Sequence, residues 1–225
     1  LRSPALGKAL STSLPENFDI LYVGSKDGPE KKMVEKIGIE FKSVACGKWR
    51  RYFSIKNLAD IFKVPLGIFQ AVKILREFKP DVVFSKGGFV SVPVVIAAKW
   101  LGVDVILHES DVVPGLANKI CAKYAGKICI SFEETRAHFA KYGKRVVFTG
   151  NPVRKSVLKG NAEAGHKFTG LSKHRPVILV MGGSQGAQQI NDLVRAGVDE
   201  LLKKFQIVHV RGRGNLDISL HKKGY

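Results

Sequence analysis

The sequence predicts an α/β fold built on mainly parallel strands, and three observations carry that expectation. Short runs rich in β-branched residues recur at Asp19–Gly24, Ile39–Ala45, Asp81–Phe84, Val103–His108, Lys127–Phe132, Arg145–Thr149, Val177–Met181 and Gln206–Val210. Most are nearly continuous apolar strings and not alternating ones, the pattern of strands covered on both faces. Helical patterns lie between them, among them Leu66–Phe78, Val92–Leu101, Gly115–Ala125 and Gln188–Phe205. Strands alternating with helices in this way predict a parallel sheet flanked by helices.

The stretch from Lys155 to Arg175 is richer in Gly, Lys, Ser and His and reads as a linker. It divides the chain into an N-terminal α/β unit over 1–154, the linker over 155–175, and a short βαβ piece over 176–225. The last is smaller than an α/β domain normally needs on its own. With 225 residues, 45% hydrophobic and 25% charged, the composition is that of a globular protein and not of a disordered one. Its 37 Lys and Arg against 19 Asp and Glu give a net charge of +18, which favours an anionic partner: nucleic acid, a phosphorylated substrate or acidic lipid headgroups.

Cys46, Cys121 and Cys129 form no CxxC pair, so buried structural thiols in a reducing setting are expected. The most apolar region, Phe89–Leu107, is broken by Lys99 and Asp104 and carries Pro93, so it falls short of a membrane span. Nothing near Leu1 reads as a signal peptide, and the protein is expected to stay on the side where it is made.

In open α/β sheets ligands gather beyond the carboxyl ends of the strands. The residues there are Ser85-Lys86-Gly87-Gly88-Phe89, His108-Glu109-Ser110-Asp111, Gly150-Asn151-Pro152-Val153-Arg154 and Gly182-Gly183-Ser184-Gln185-Gly186. Singly, each has a plain explanation: glycine pairs serve turns, His108 suits a satisfied structural histidine, and Arg154 an ordinary surface cation. Together, two glycine-rich strand-to-helix turns, an acid beside an imidazole and a guanidinium suit a diphosphate and a proton transfer. The glycines of 182–186 do not make G-x-G-x-x-G, and no Walker A loop is present. No HExxH, paired CxxC or Asp-x-Asp cluster supports a metal site, and no metal or cofactor is expected.

The ordered set "FSKGGFVSVPVVIAAKWLG", "ILHESDVVPGLANKICAKYA", "FTGNPVR" and "ILVMGGSQGAQQIN" resembles the MurG-type peptidoglycan glycosyltransferases, which add N-acetylglucosamine to lipid I to make lipid II. The likeness runs nearly the length of the chain. It implies a GT-B fold of two Rossmann-like parallel-sheet domains, with the lipid-linked acceptor held mainly by the first and UDP-N-acetylglucosamine mainly by the second. It implies an inverting transfer to the C4 hydroxyl of the muramyl sugar without a covalent enzyme intermediate. Carried over by residue, Arg154, Ser184, Gln185, Gly183 and Asp111 resemble donor contacts, Gly87, Gly88 and Phe89 acceptor-loop residues, and His108 and Glu109 candidate catalytic groups. The His-Glu-Ser-Asp sequence departs from the His-Glu-Gln-Asn of many relatives, and a carboxylate at Asp111 is unfavourable near a diphosphate unless a cation meets it.

Relatives of this type begin with a strand and a Gly-rich loop ending in a histidine, the favoured general base. Leu1-Arg2-Ser3-Pro4 resembles the helix after that loop, and Tyr225 precedes the segment that holds uracil and ribose. The resemblance therefore implies a fragment: a first domain lacking its initial strand and a second one truncated. Such a fragment is expected to be inactive and poorly stable by itself, the longer parent being the enzyme.

Finally, "GKWRRYFSIKNLADIFKVPLGIF" interleaves Trp49, Phe53, Ile61 and Phe62 with lysines and arginines, the composition of an interfacial membrane contact. The same apolar residues also suit packing on the domain core. A lipid-linked acceptor implies a peripheral position on the cytoplasmic face of the bacterial plasma membrane. A UDP-sugar 2-epimerase is the alternative enzyme. A basic nucleic-acid-binding protein is the alternative binder, although no recognition-helix, RNP or zinc-finger pattern supports nucleic acid.

Overall fold

The computed structural model describes residues 18–26, 28, 30–46, 55–153, 155–183, 186–212, 214 and 222–225, with side chains of the long helix described from Val64 onward. Two compact units divide the chain, Leu1–Lys155 and Ser156–Tyr225.

In the first unit β1 (Leu21–Gly24) pairs in parallel with β2 (Glu40–Ser43). Strands β3 (Val82–Ser85), β4 (Asp104–Glu109), β5 (Lys127–Ile130) and β6 (Val146–Phe148) form a parallel sheet in that spatial order. Among the described residues no ladder joins β1 to β3, so the strands stand as a pair and a quartet. Both groups nonetheless reach one core: Val44 is buried in the cluster that holds Val105, Leu107, Ile128 and Ile130, and Val23 packs against it.

Helices α1 (Glu30–Glu35), α2 (Ile55–Phe78), α3 (Ser91–Trp100) and α4 (Leu116–Cys121) connect the strands. Helix α3 has little amphipathic pattern because it is buried on several sides: Pro93, Val94, Val95, Ala97 and Ala98 are all inside. Its small residues let α2, which supplies Ala71 and Leu75, approach closely. Helix α2 begins well before the expected Leu66, carrying Pro65 within it. Proline is the ordinary signal for a helix start, but apolar residues continue on both sides of this one and the longer helix wins. A 3-10 stretch runs over Glu133–Arg145, broken at Gly143, where φ is +51°. Arg145 closes it by donating to the Ala125 carbonyl at 2.8 Å while lying over the Tyr142 ring.

The thiol of Cys121, at the end of α4, is fully buried, and burial pushes it up to about 11 despite a contact with Ser91 Oγ. Cys46 and Cys129 are only half-buried.

In the second unit β7 (Val177–Met181) and β8 (Gln206–Val210) pair in parallel over five residues, with α7 (Gln188–Lys204) packed on them through Val198. The expectation of strands covered on both faces does not hold here. Leu179 is 60% exposed and Val177 and Met181 are exposed with it, because α7 covers one face and no described residue covers the other. The stretch 155–175, expected as a linker, carries two helices, α5 (Lys155–Leu158) and α6 (Ala162–Thr169). Local capping explains α6: the Asn161 side chain accepts from Ala164 N–H at one end, and Gly170 closes the other in the left-handed region.

Replacing Ile128, fully buried at the centre of the quartet, by alanine is expected to lower unfolding free energy by about 2 to 5 kcal/mol. Urea titration checks this, and a change below about 1 kcal/mol would show that the sheet core is not where stability resides.

Candidate functional site

Parallel strands set their carboxyl ends on one edge, so the loops after β3, β4 and β6 share a rim in the first unit. The rim is organised around Glu109, the last residue of β4, which is 2% exposed. A buried carboxylate must be met by donors. One oxygen accepts the Asp111 backbone N–H at 2.9 Å and the other the Asn118 side-chain amide at 2.7 Å. Thr135 Oγ1 donates to the Asp111 carbonyl, so the backbone of this loop is tied at both ends.

Asn118 is 5% exposed, and donating its NH₂ to Glu109 fixes the amide orientation. Its Oδ1 then turns away and is a buried acceptor with no hydrogen-bond partner. It lies against Gly87, 2.4 Å from where a Cβ on that residue would sit. Gly87 and Gly88 have φ of +88° and +90°, so residue 87 is glycine for two separate reasons, backbone conformation and lack of room. Phe89 follows, partly exposed on the rim, and Ser91 Oγ donates to the Gly88 carbonyl at 2.7 Å at the start of α3.

His108 is 4% exposed with both ring nitrogens engaged. Nε2 lies 3.0 Å from the Gly150 carbonyl oxygen and Nδ1 3.0 Å from Lys86 Nζ. A carbonyl only accepts and an ammonium only donates, so Nε2 carries the proton, Nδ1 offers its lone pair, and the ring is neutral. Burial holds its pKa below the ordinary value, with Lys86 pushing in the same direction; the Gly150 contact and Glu109 oppose them. Lys86 Nζ also lies 3.4 Å from Asn151 Oδ1, and the imidazole links β4 to the loops after β3 and β6.

The rim thus brings together His108, Glu109, Asp111, Gly87, Gly88 and Phe89. Both oxygens of Glu109 and both nitrogens of His108 make contacts that tie loops together. Asp111 is exposed, and its backbone N–H and carbonyl both help to secure the loop. Arg154, Ser184 and Gln185 lie outside the described residues, as do Trp49 and Phe53 and the side chains of Ile61 and Phe62.

In the second unit the turn after β7 is described at Gly182, Gly183, Gly186 and Ala187. The Gly183 carbonyl accepts Gly186 N–H at 2.8 Å, and a Cβ on Gly182 would come within 2.9 Å of Ala187 N. Asn191, buried in the first turn of α7, contacts His209 Nε2 at 3.0 Å and donates to the Arg211 carbonyl at 3.1 Å. It therefore ties the loop after β8 to the helix that follows the glycine turn. Lys86, Asn118, Asn191 and His209 escaped the sequence reading. Lys86, Asn118 and Asn191 lie within the quoted stretches, but residue type alone does not signal their contacts.

The neutral His108 has a pH signature. Its folded pKa lies below the ordinary 6.5, so between those two values the unfolded chain binds more protons and stability rises with pH. Acidification from about pH 7 to about pH 5 is expected to lower the urea midpoint more in the wild-type chain than in His108→Gln. His209, also shifted down, is common to both proteins and cancels in the comparison. Equal pH dependence would mean that the ring is not held neutral.

Residues 5–130 match the glycosyltransferase family 28 N-terminal domain, and residues 177–223 match the glycosyltransferase family 28 C-terminal domain. Among curated relatives, the UDP-N-acetylglucosamine--N-acetylmuramyl-(pentapeptide) pyrophosphoryl-undecaprenol N-acetylglucosamine transferase 2 of Bacillus cereus is 56% identical over 212 residues, 93% of this chain and 59% of its own length. The transferase of the same description from Clostridium botulinum is 48% identical over 209 residues, 92% of this chain and 58% of its own. The chain thus spans under two thirds of these relatives. In fold it is similar to the Acinetobacter baumannii MurG structure, with TM-score 0.64 and 23% identity over 94% of this chain and 55% of that one. A Neisseria meningitidis UDP-GlcNAc 2-epimerase bound to UDP-GlcNAc gives TM-score 0.61 at 13% identity, covering 95% and 62%. These likenesses show a GT-B type fold of Rossmann-like parallel-sheet domains. With its N-terminal domain matched over more than half of the sequence and its C-terminal domain after it, the chain belongs to glycosyltransferase family 28.

Proposed function

We propose that the protein transfers N-acetylglucosamine from UDP-N-acetylglucosamine to the C4 hydroxyl of the muramyl sugar of lipid I, forming lipid II. What carries this reading is the 48–56% identity to transferases of that description across segments of both family domains. The acceptor oxygen forms a bond to the anomeric carbon as the bond from that carbon to UDP breaks, and the hydroxyl proton passes to a base. UDP departs with its negative charge. Arg154 and the glycine turn at 182–186, followed by the N-terminus of α7, suit that charge. Gly87, Gly88 and Phe89 suit the acceptor, and Ser184, Gln185 and Asp111 complete the proposed donor contacts. The loops around His108 and Glu109 serve as scaffold. A 2-epimerase is the weaker reading, because its support is a likeness of fold at 13% identity.

The reading is tested by calorimetric titration with UDP-N-acetylglucosamine and by transfer of labelled sugar to lipid I. Arg154→Ala is expected to weaken donor binding roughly ten- to a hundredfold, the worth of a charge-assisted contact. Conversion of the donor to its 2-epimer, with no acceptor consumed, would overturn the transferase reading.

A lipid-linked acceptor also requires a peripheral position at the cytoplasmic membrane surface. Among the described residues no helix is long and apolar enough to cross a membrane. Trp49, Phe53, Ile61 and Phe62 remain the proposed contact. Further along α2, Phe69 is 73% exposed, and Trp100 at the end of α3 is 68% exposed. Flotation with vesicles containing anionic lipid is expected to recover the chain, and Trp49→Ser with Phe53→Ser to reduce that recovery severalfold at moderate salt. Undiminished recovery of the double variant would remove these residues from the membrane contact.

A further inference from the structure

We propose that His209 is a positioning residue for the sugar-nucleotide donor, acting through the buried amide of Asn191 to tie the loop after β8 to the first turn of α7, a role that rests on the reading above for the identity of the ligand. The direction of each hydrogen bond within the second unit leads to His209. Asn191 donates its NH₂ to the Arg211 carbonyl at 3.1 Å, and a carbonyl only accepts, so the orientation of the amide is fixed. Its oxygen then needs a donor, and His209 Nε2–H supplies one at 3.0 Å. A neutral ring with its proton on Nε2 presents a lone pair at Nδ1, and the Tyr225 hydroxyl lies 2.9 Å away to fill it. Burial lowers the pKa of this imidazole and Arg211 adds to the effect, so the neutral form that accepts from Tyr225 is favoured.

Asn191 sits where such a tie reaches both loops of the carboxyl edge. It is 4% exposed, and its backbone N–H is bonded to the Ala187 carbonyl at 2.9 Å. Ala187 in turn backs the glycine turn after β7, since a Cβ on Gly182 would lie 2.8 Å from Ala187 Cβ. On the other side, the chain leaves β8 through Arg211 and turns at the left-handed Gly212, so its path depends on where the Arg211 carbonyl is held. Tyr225 anchors the network from the core: its ring packs on Val198 and Ile207, and the Arg211 guanidinium lies 5.7 Å from the ring centre. An apolar residue at 191 would serve packing alone. The amide costs desolvation and returns a fixed orientation, which suits two loops whose relative placement a ligand reads. Without His209, the amide oxygen would be a buried acceptor left unmet, and the tie between the loops would loosen.

Glutamine offers an oxygen and an NH₂ at about the spacing of the two imidazole nitrogens, so His209→Gln can repeat both contacts, whereas His209→Met fills the space and makes neither. The whole chain is titrated calorimetrically with UDP, with urea midpoints measured alongside. His209→Met is expected to bind UDP roughly tenfold more weakly than the wild type, and His209→Gln to stay within about threefold of it. A histidine with only a structural task would shift the midpoint and leave the UDP affinity of the folded chain unchanged. That result, like absence of UDP binding by the wild type, would overturn the proposal. Should His209→Met fail to fold, Tyr225→Phe takes its place, since it removes the hydroxyl that sets the tautomer; UDP affinity is expected to fall about threefold, and no change overturns the proposal. Imidazole ¹⁵N shifts of the wild type read the tautomer without any ligand: a proton on Nε2 is expected, and one on Nδ1 would sink the assignment. UDP binding with this variant pattern, but conversion of UDP-N-acetylglucosamine to its 2-epimer with no acceptor consumed, would retire the transferase reading while leaving His209 in its role.

Discussion

A single buried carboxylate governs the geometry at the carboxyl edge of the first unit. Glu109 ends a strand where water is excluded, and an acid buried there is tolerable only when donors meet its oxygens. The donors are a backbone N–H two residues on and an amide on the next helix, so the chain between Glu109 and Asn118 has little freedom. Because the amide is spent on the acid, its oxygen faces Gly87, and that position must then lack a side chain. Each step follows from the one before. Replacing Glu109 would remove more than a charge, since the orientation of the amide and the shape of the glycine turn are set downstream of it.

The neighbouring His108 completes the frame from the other side. A histidine next to an acid at a strand end invites an acid–base assignment, and their adjacency in sequence is what made both catalytic candidates. Adjacent residues on a strand point to opposite faces, however. Here one turns to the buried amide of α4 and the other to the carbonyl after β6. The two side chains thus make separate contacts on opposite sides of the strand.

Most of the fold was legible in the chain, because buried parallel strands announce themselves as continuous apolar strings and helices as the periodic segments between them. The strands among the described residues were all legible to within a few residues, and the α3 and α7 helices nearly so. What escaped depends on information that is not local. Pro65 reads as a helix start unless one knows what packs around it, and the helix over Ala162–Thr169 is visible only when Asn161 and Gly170 are taken as its two caps. The uncovered face of β7 depends on which element lies over it, which a string of five apolar residues cannot encode. At the site, the glycine loops were legible because their chemistry is in the residue type. The roles of Asn118 and Asn191 were not, since a buried asparagine looks like any other until its partners are known.

The buried thiol of Cys121 sits at the shoulder of this same frame, three residues past Asn118 and against Ser91. With its pKa raised to about 11, on the order of one molecule in ten thousand carries the thiolate at neutral pH, and alkylating reagents act on that form. Its labelling is therefore gated by local opening of the segment around α4, and the rate of that reaction becomes an internal clock for how often the loop scaffold breathes.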